Sequence, residues 1–123
     1  METRQSNSIE PIPATVDDLP KVLSLLKDSG LPCDGVVDYF PGAYLVARSD
    51  DSLLAVAGLE PYRAAGLLRS VAVSPKARGA GLGKALVEAL LRKAHDHGLR
   101  QSFLLTTTAA DYFRRLGFID TNR

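Results

Sequence analysis

Residues 73–86 read VSPKARGAGLGKAL, and within them Gly79, Gly81 and Gly83 alternate between Arg78 and Lys84 where a helical pattern begins. Glycine is a poor helix former, about 1 kcal/mol worse than alanine in a helix interior. Three of them at a helix mouth imply that something must approach the bare main chain. Upstream, AGLLRSVAV (65–73) is almost continuously apolar and reads as a central strand. Downstream, Leu82, Ala85, Leu86, Ala89, Leu90 and Ala94 keep helical spacing until Gly98. Glu88 and Arg92 form a favourable i, i+4 pair on the opposite, exposed face. The stretch is a strand–loop–helix junction.

Two familiar glycine motifs do not fit it. A nucleoside-triphosphate loop needs glycine, four residues, then Gly-Lys-Ser or Gly-Lys-Thr, whereas Gly83-Lys84 is followed by Ala85 and position 78 is arginine. A dinucleotide fingerprint needs G-x-G-x-x-G, and Lys84 stands where its third glycine belongs. A simpler anion cradle does fit. A helix N-terminus offers unbonded amides and a partial positive charge, to which Lys76, Arg78 and Lys84 add. A diphosphate is its natural guest. The plain alternative is a flexible turn with solvated cations.

Outward from this junction the chain supplies one sheet. IEPIPA (9–14) suits an edge strand. Thr15 and Asp18 resemble a capping box ahead of the apolar stripe Leu19, Val22, Leu23 and Leu26. Pro20 predicts a loose or tighter first turn, and Gly30 ends the helix. LPCDGVVDYFPG (31–42) reads as a short helix or a mobile loop. AYLVAR (43–48) and LLAVAGLE (53–60) form a hairpin around residues 49–52. SFLLTT (102–107) is a further strand. Thr108 and Asp111 open a last helix, with Ala109, Tyr112, Phe113 and Leu116 on its apolar face, and Gly117 stops it. The expected fold is a mixed α/β or α+β domain around one sheet, residues 9–123, after a flexible N-terminus of residues 1–8.

Fifteen Lys and Arg against 14 Asp and Glu give a net charge of +1, which offers no general reason to expect nucleic acid or a membrane as partner. Cys33 is the single cysteine, so no intrachain disulfide forms and a reducing, cytoplasmic compartment is expected. METRQSNSIE has no apolar core of a secretory signal, and no apolar run approaches the ~20 residues of a membrane span.

VAVSPKARGAGLGKALV resembles the cofactor-binding motif of the GNAT (GCN5-related) N-acetyltransferases, Arg/Gln-x-x-Gly-x-Gly/Ala, at Arg78, Gly81 and Gly83. AADYFRRLGF resembles that family's penultimate helix with its closing Leu-Gly-Phe, and LLRSVAV with LLTTTAADYFRRLGF resembles the small acetyltransferases associated with arsenic resistance. The resemblance implies a GNAT-like fold with a mixed, mostly antiparallel sheet, and acetyl-CoA in a cleft between splayed strands 65–73 and 102–107. The pyrophosphate would rest on the amides of Arg78, Gly79, Ala80, Gly81, Leu82, Gly83 and Lys84. The backbone of Val71, Ala72 and Val73 would face the pantetheine arm, and an amide near Val71 would polarise the thioester carbonyl. The implied reaction is direct transfer of the acetyl group to the amine of a small molecule. Glu60 is the candidate base, directly or through water, or else a solvated strand-end carboxylate.

The sequence departs from the family pattern twice. The usual acidic tyrosine position holds Phe113, leaving Tyr112, turned by ~100° on a helix, as a substitute acid or a core residue. Beyond Leu-Gly-Phe the family continues with two more strands, so a short chain, a truncation or completion by a partner subunit is implied, with homodimerisation one outcome. The rival readings are a non-catalytic acyl-CoA-binding module and an interaction protein whose sheet a partner completes. Thr106 is either a cofactor contact or a plain strand residue; Arg114 and Arg115 either reach the adenosine 3′-phosphate or face solvent. His95 and His97 point to different helix faces, so no metal is expected. Cys33 is either a reactive thiol or arsenic ligand, or simply a free cysteine.

Overall fold

The structure, a computed structural model, describes residues 9–62, 65–96 and 101–104. Five strands form one sheet in chain order: β1 (Ile12–Pro13), β2 (Tyr44–Ser49), β3 (Ser52–Tyr62), β4 (Ala65–Val73) and β5 (Gln101–Leu104). The first four pair antiparallel, and β5 runs parallel to β4. A parallel neighbour requires a crossover, supplied by α3 (Leu82–Asp96). Helices α1 (Leu19–Asp28) and α2 (Val36–Tyr39) precede β2. The mixed, mostly antiparallel sheet is as the sequence predicts, with β4 inside it.

Strand alternation sorts the side chains into two cores. Leu45, Ala47, Ala55, Ala57, Leu59 and Leu68 pack against Leu86, Val87 and Leu90 of α3. Tyr44, Val46, Val56 and Ala72 pack on the other face, with Val22 and Leu26 of α1 and Val36 of α2. In α3, Ala85 and Ala89 are only half-buried while Val87 is buried, so the buried stripe lies slightly around the helix from the expected one.

The start of α1 carries the capping box that Thr15 and Asp18 suggest. Asp18 Oδ2 accepts the Thr15 main-chain N–H at 2.8 Å and the Thr15 hydroxyl at 3.2 Å. The Asp18 N–H also donates to the Thr15 carbonyl at 2.9 Å. That i to i+3 bond winds residues 16–18 into a 3₁₀ turn, the tighter geometry that Pro20 suggests. The 31–42 stretch resolves into the short α2, anchored by the fully buried Val36.

Strand β4 is irregular at one point. Val56 pairs with Ala72 and Gly58 with Arg69, so Ala57 alone on β3 faces Ser70 and Val71 on β4. This is a β-bulge, with Ser70 at φ 59°.

Candidate active site

The loop between β4 and α3 combines a 3₁₀ turn, Pro75–Ala77, with two glycines in left-handed conformation: Gly79 at φ 88° and Gly81 at φ 78°. Few side chains tolerate that backbone, which accounts for two of the three alternating glycines. No atom of the described residues stands within 4 Å of where a Cβ would project from either one. The space before α3 is therefore open at the main chain. The Ala85 N–H donates to the Gly81 carbonyl at 3.0 Å, so the amides of Leu82, Gly83 and Lys84 lie ahead of that bond, in the helix's unpaired first turn. An anion of diphosphate size fits this arrangement.

Of the three cations read as supporting it, two are held by the protein. Arg78 Nε donates to the Val73 carbonyl at 3.1 Å, and Lys76 Nζ to Ser52 Oγ at 3.3 Å. Lys84 is exposed on the first turn of α3. Arg78 thereby fastens the loop to the end of β4.

Beside the loop, β4 has an edge without a described partner. Its parallel pairing with β5 covers Ala65↔Gln101 to Leu68↔Leu104, and from Arg69 to Val73 the only described neighbour is β3. Val71 and Ser70, in the bulge, have no register partner even there. Val71, Ala72 and Val73 thus lie in a stretch of β4 that has, among the described residues, no strand on the side away from β3.

Glu60 differs from the solvated strand-end carboxylate. Strand β3 continues two residues past it to Tyr62, and Glu60 is 6% exposed. Alternation places it on the α1–α2 face, where its Oε2 accepts the Tyr44 hydroxyl at 2.9 Å and lies 3.5 Å from Arg69 Nη1. Arg69 also donates from Nη2 to the Asp34 carbonyl at 2.7 Å and from Nε to Ser70 Oγ at 3.2 Å. Burial, with the neighbouring Glu60 carboxylate, pushes the Tyr44 hydroxyl up to about 12, against a smaller opposing pull from its bond with Ser70. Tyr44 is therefore a neutral donor at any physiological pH.

Sequence reasoning missed Tyr44 and Arg69. Arg69 carried a visible signal, a lone cation inside the apolar run AGLLRSVAV. Tyr44 carried none, because its role depends on its ring crossing Gly58 of the next strand.

Cys33 is a half-buried free thiol whose Sγ lies 3.7 Å from the Leu23 carbonyl. His95 is exposed in the last turn of α3, and no His, Cys, Asp and Glu group among the described residues could hold a metal ion. Thr106, Tyr112, Phe113, Arg114, Arg115 and His97 lie outside the described residues. No described helix is long and apolar enough to cross a membrane.

Residues 41–120 match the acetyltransferase (GNAT) domain family. An amino-acid acetyltransferase of Azotobacter vinelandii is 33% identical over 113 residues, covering 85% of this chain and 26% of the relative. A Mycobacterium tuberculosis protein crystallised with CoA superposes with a TM-score of 0.80 at 27% identity, covering 91% of this chain and 72% of that one. The N-acetylglutamate synthase of Neisseria gonorrhoeae, crystallised with coenzyme A and L-arginine, gives 0.81 at 22% identity, covering 93% and 28%. The chain spans about a quarter of the length of the curated relatives it matches.

Proposed function

The chain belongs to the GNAT acetyltransferase family, and on that premise we propose that it transfers an acetyl group from acetyl-CoA to the amino group of an amino acid or similar small amine. The observation that carries this reading is the pair of left-handed glycines at the mouth of α3, Gly79 and Gly81, where β4 hands over to the helix. Acetyl-CoA, when bound, supplies an acyl group already activated as a thioester. The main chain from Arg78 through Lys84 holds its diphosphate, and Lys84 adds charge from the first helical turn. The backbone from Val71 to Val73 would hold its extended arm, and an amide near Val71 would polarise the thioester carbonyl.

Glu60 is the group on the acceptor side that accepts a proton, keeping the attacking amine neutral. Tyr44 and Arg69 hold its carboxylate in place. Amino-acid acceptors are favoured because the curated relatives carry that name. The arsenic-associated subgroup rests on general sequence likeness, and Cys33 offers it no second thiol. The free cysteine favours a reducing compartment, and the domain is read as one unit over residues 9–123, with a homodimer as one assembly that would cover a sheet edge.

Calorimetric titration with acetyl-CoA, with ATP and NAD as controls, tests the cradle. A thiol-release assay over a panel of L-amino acids and simple amines tests the transfer. Selective binding followed by turnover on one amine is expected. Selective binding without turnover on any amine would leave the acyl-CoA-binding module as the better reading.

A further inference from the structure

Three separately built parts of the site meet at one guanidinium. Arg69 projects from the bulged segment of β4, and each of its three nitrogens has a different partner. Nη1 faces Glu60 Oε2 from β3, Nη2 holds the Asp34 carbonyl in the α1–α2 loop, and Nε holds the Ser70 hydroxyl in the bulge. The loop passes close over the group: a Cβ at Gly35, which has φ 79°, would lie 3.4 Å from Nη1. Gly30, at the other end of this loop, also has positive φ, 73°. The loop thus runs between two glycine corners with Arg69 beneath it.

We infer that Arg69 is a positioning residue, locking the proton-accepting carboxylate of Glu60 and the 31–35 loop into one arrangement; the inference rests on the reading of Glu60 as the base. Both contacts to Glu60 from the described residues fall on Oε2, so Oε1 is the oxygen assigned to the proton. The N–H bond of the acceptor's ammonium group breaks, an O–H bond forms at Oε1, and the electron pair stays on nitrogen. Among the described residues, the charged and titratable groups facing this carboxylate are Arg69 from β4 and Tyr44 from β2. Asp34 contributes its main-chain carbonyl, with the residue itself exposed. The Tyr44 hydroxyl is a neutral donor, so Arg69 is the described cation at this carboxylate. A planar fork with donors in three directions is a property of arginine that lysine lacks.

The test compares the parent with Arg69→Gln, Arg69→Lys and Glu60→Gln, using the panel amino acid that is turned over fastest. Arg69→Gln is expected to lower kcat/KM about a hundredfold through misplacement of the base. It should also lower kcat more than it raises KM and speed hydrogen exchange at residues 31–35, leaving the acetyl-CoA Kd unchanged. Arg69→Lys should recover part of kcat, since one donor to Glu60 returns, while hydrogen exchange at residues 31–35 remains faster than in the parent. Glu60→Gln should abolish the acid limb. If it does so and Arg69→Gln keeps the parental kcat and the parental exchange at residues 31–35, the inference about Arg69 falls and the base reading stands. If Glu60→Gln keeps the parental limb, or no amine is turned over, the base reading falls and takes the inference with it. Should Arg69→Gln fail to bind acetyl-CoA through misfolding, Arg69→Lys decides: parental exchange at residues 31–35 would overturn the latch.

Discussion

Gly58 is required by its neighbour. A Cβ there would stand 2.4 Å from Cε2 and 2.6 Å from Cζ of Tyr44, so the ring can cross the strand only over a bare α-carbon. Gly58→Ala is expected to cost about 2 kcal/mol by overpacking, measured by urea denaturation. In a Tyr44→Ala background the same change should cost far less, and additive costs would refute the account. Tyr44 also carries a pH signature. Its hydroxyl titrates near 12 in the fold against about 10 in an unfolded chain, so the fold holds this proton more tightly. The resulting stability is complete below pH 10 and is lost as pH rises from 10 to 12, at roughly 1.4 kcal/mol per unit. Tyr44→Phe should flatten that part of the stability–pH curve relative to the parent. The hydroxyl is buried against Glu60, and losing their bond should cost about 1–3 kcal/mol at neutral pH, since the carboxylate remains. An identical slope between pH 10 and 12 in both proteins would contradict this assignment.

At the scale of elements, the junction between α1 and β2 depends on Asp18. Its Oδ2 takes the Thr15 main-chain N–H, and its Oδ1 lies 3.0 Å from Arg48 Nε of β2 without the alignment of a hydrogen bond. Asp18→Ala removes a cap and leaves the buried Nε of Arg48 without its counter-charge. A loss of about 2 kcal/mol in denaturant is expected, and Asp18→Asn should recover about half by keeping the cap acceptor. Equal losses in the two variants would mean that the ion pair, and not the cap, holds the junction. Elements of this kind are legible in the sequence because they rest on local rules. The stripe Leu19, Val22, Leu23 and Leu26 announces α1, the apolar run 65–73 announces β4, and Asp50 at φ 55° closes the hairpin where the run of Ser and Asp stands. The bulge is not legible. One-to-two pairing is a property of two strands together, and Ser70 at positive φ carries no glycine or asparagine to signal it. Glu60 stands out in the sequence as a candidate, but its burial does not, because the strand continues through Pro61, a residue that usually argues for an end.

For the whole molecule, one sheet carries two different tasks on its two faces. The α3 face is apolar from Leu45 to Leu90 and supplies a rigid platform, while the α1–α2 face accommodates Tyr44, Glu60 and Arg69 among its apolar side chains. The glycine loop lies where β4 hands over to α3, so a ligand held there touches the sheet and its crossover helix together. Ligand occupancy should therefore register as global stability. At a hundred times its Kd, acetyl-CoA is expected to add about 2.7 kcal/mol, a rise of several degrees in Tm for a domain of this size. ATP and NAD should add little. Gly81→Ala separates cradle from scaffold. Its methyl meets no atom of the described residues, so the expected folding cost is that of the left-handed backbone, about 1–2 kcal/mol. The same methyl projects into the space assigned to the diphosphate and should weaken acetyl-CoA binding at least tenfold, lowering the ligand-induced rise in Tm at fixed concentration. Gly81→Val is a poorer probe, since a β-branched residue at φ 78° strains the chain before any ligand arrives. A variant Gly81→Ala that folds and keeps the parental thermal shift would place the diphosphate elsewhere than on this loop.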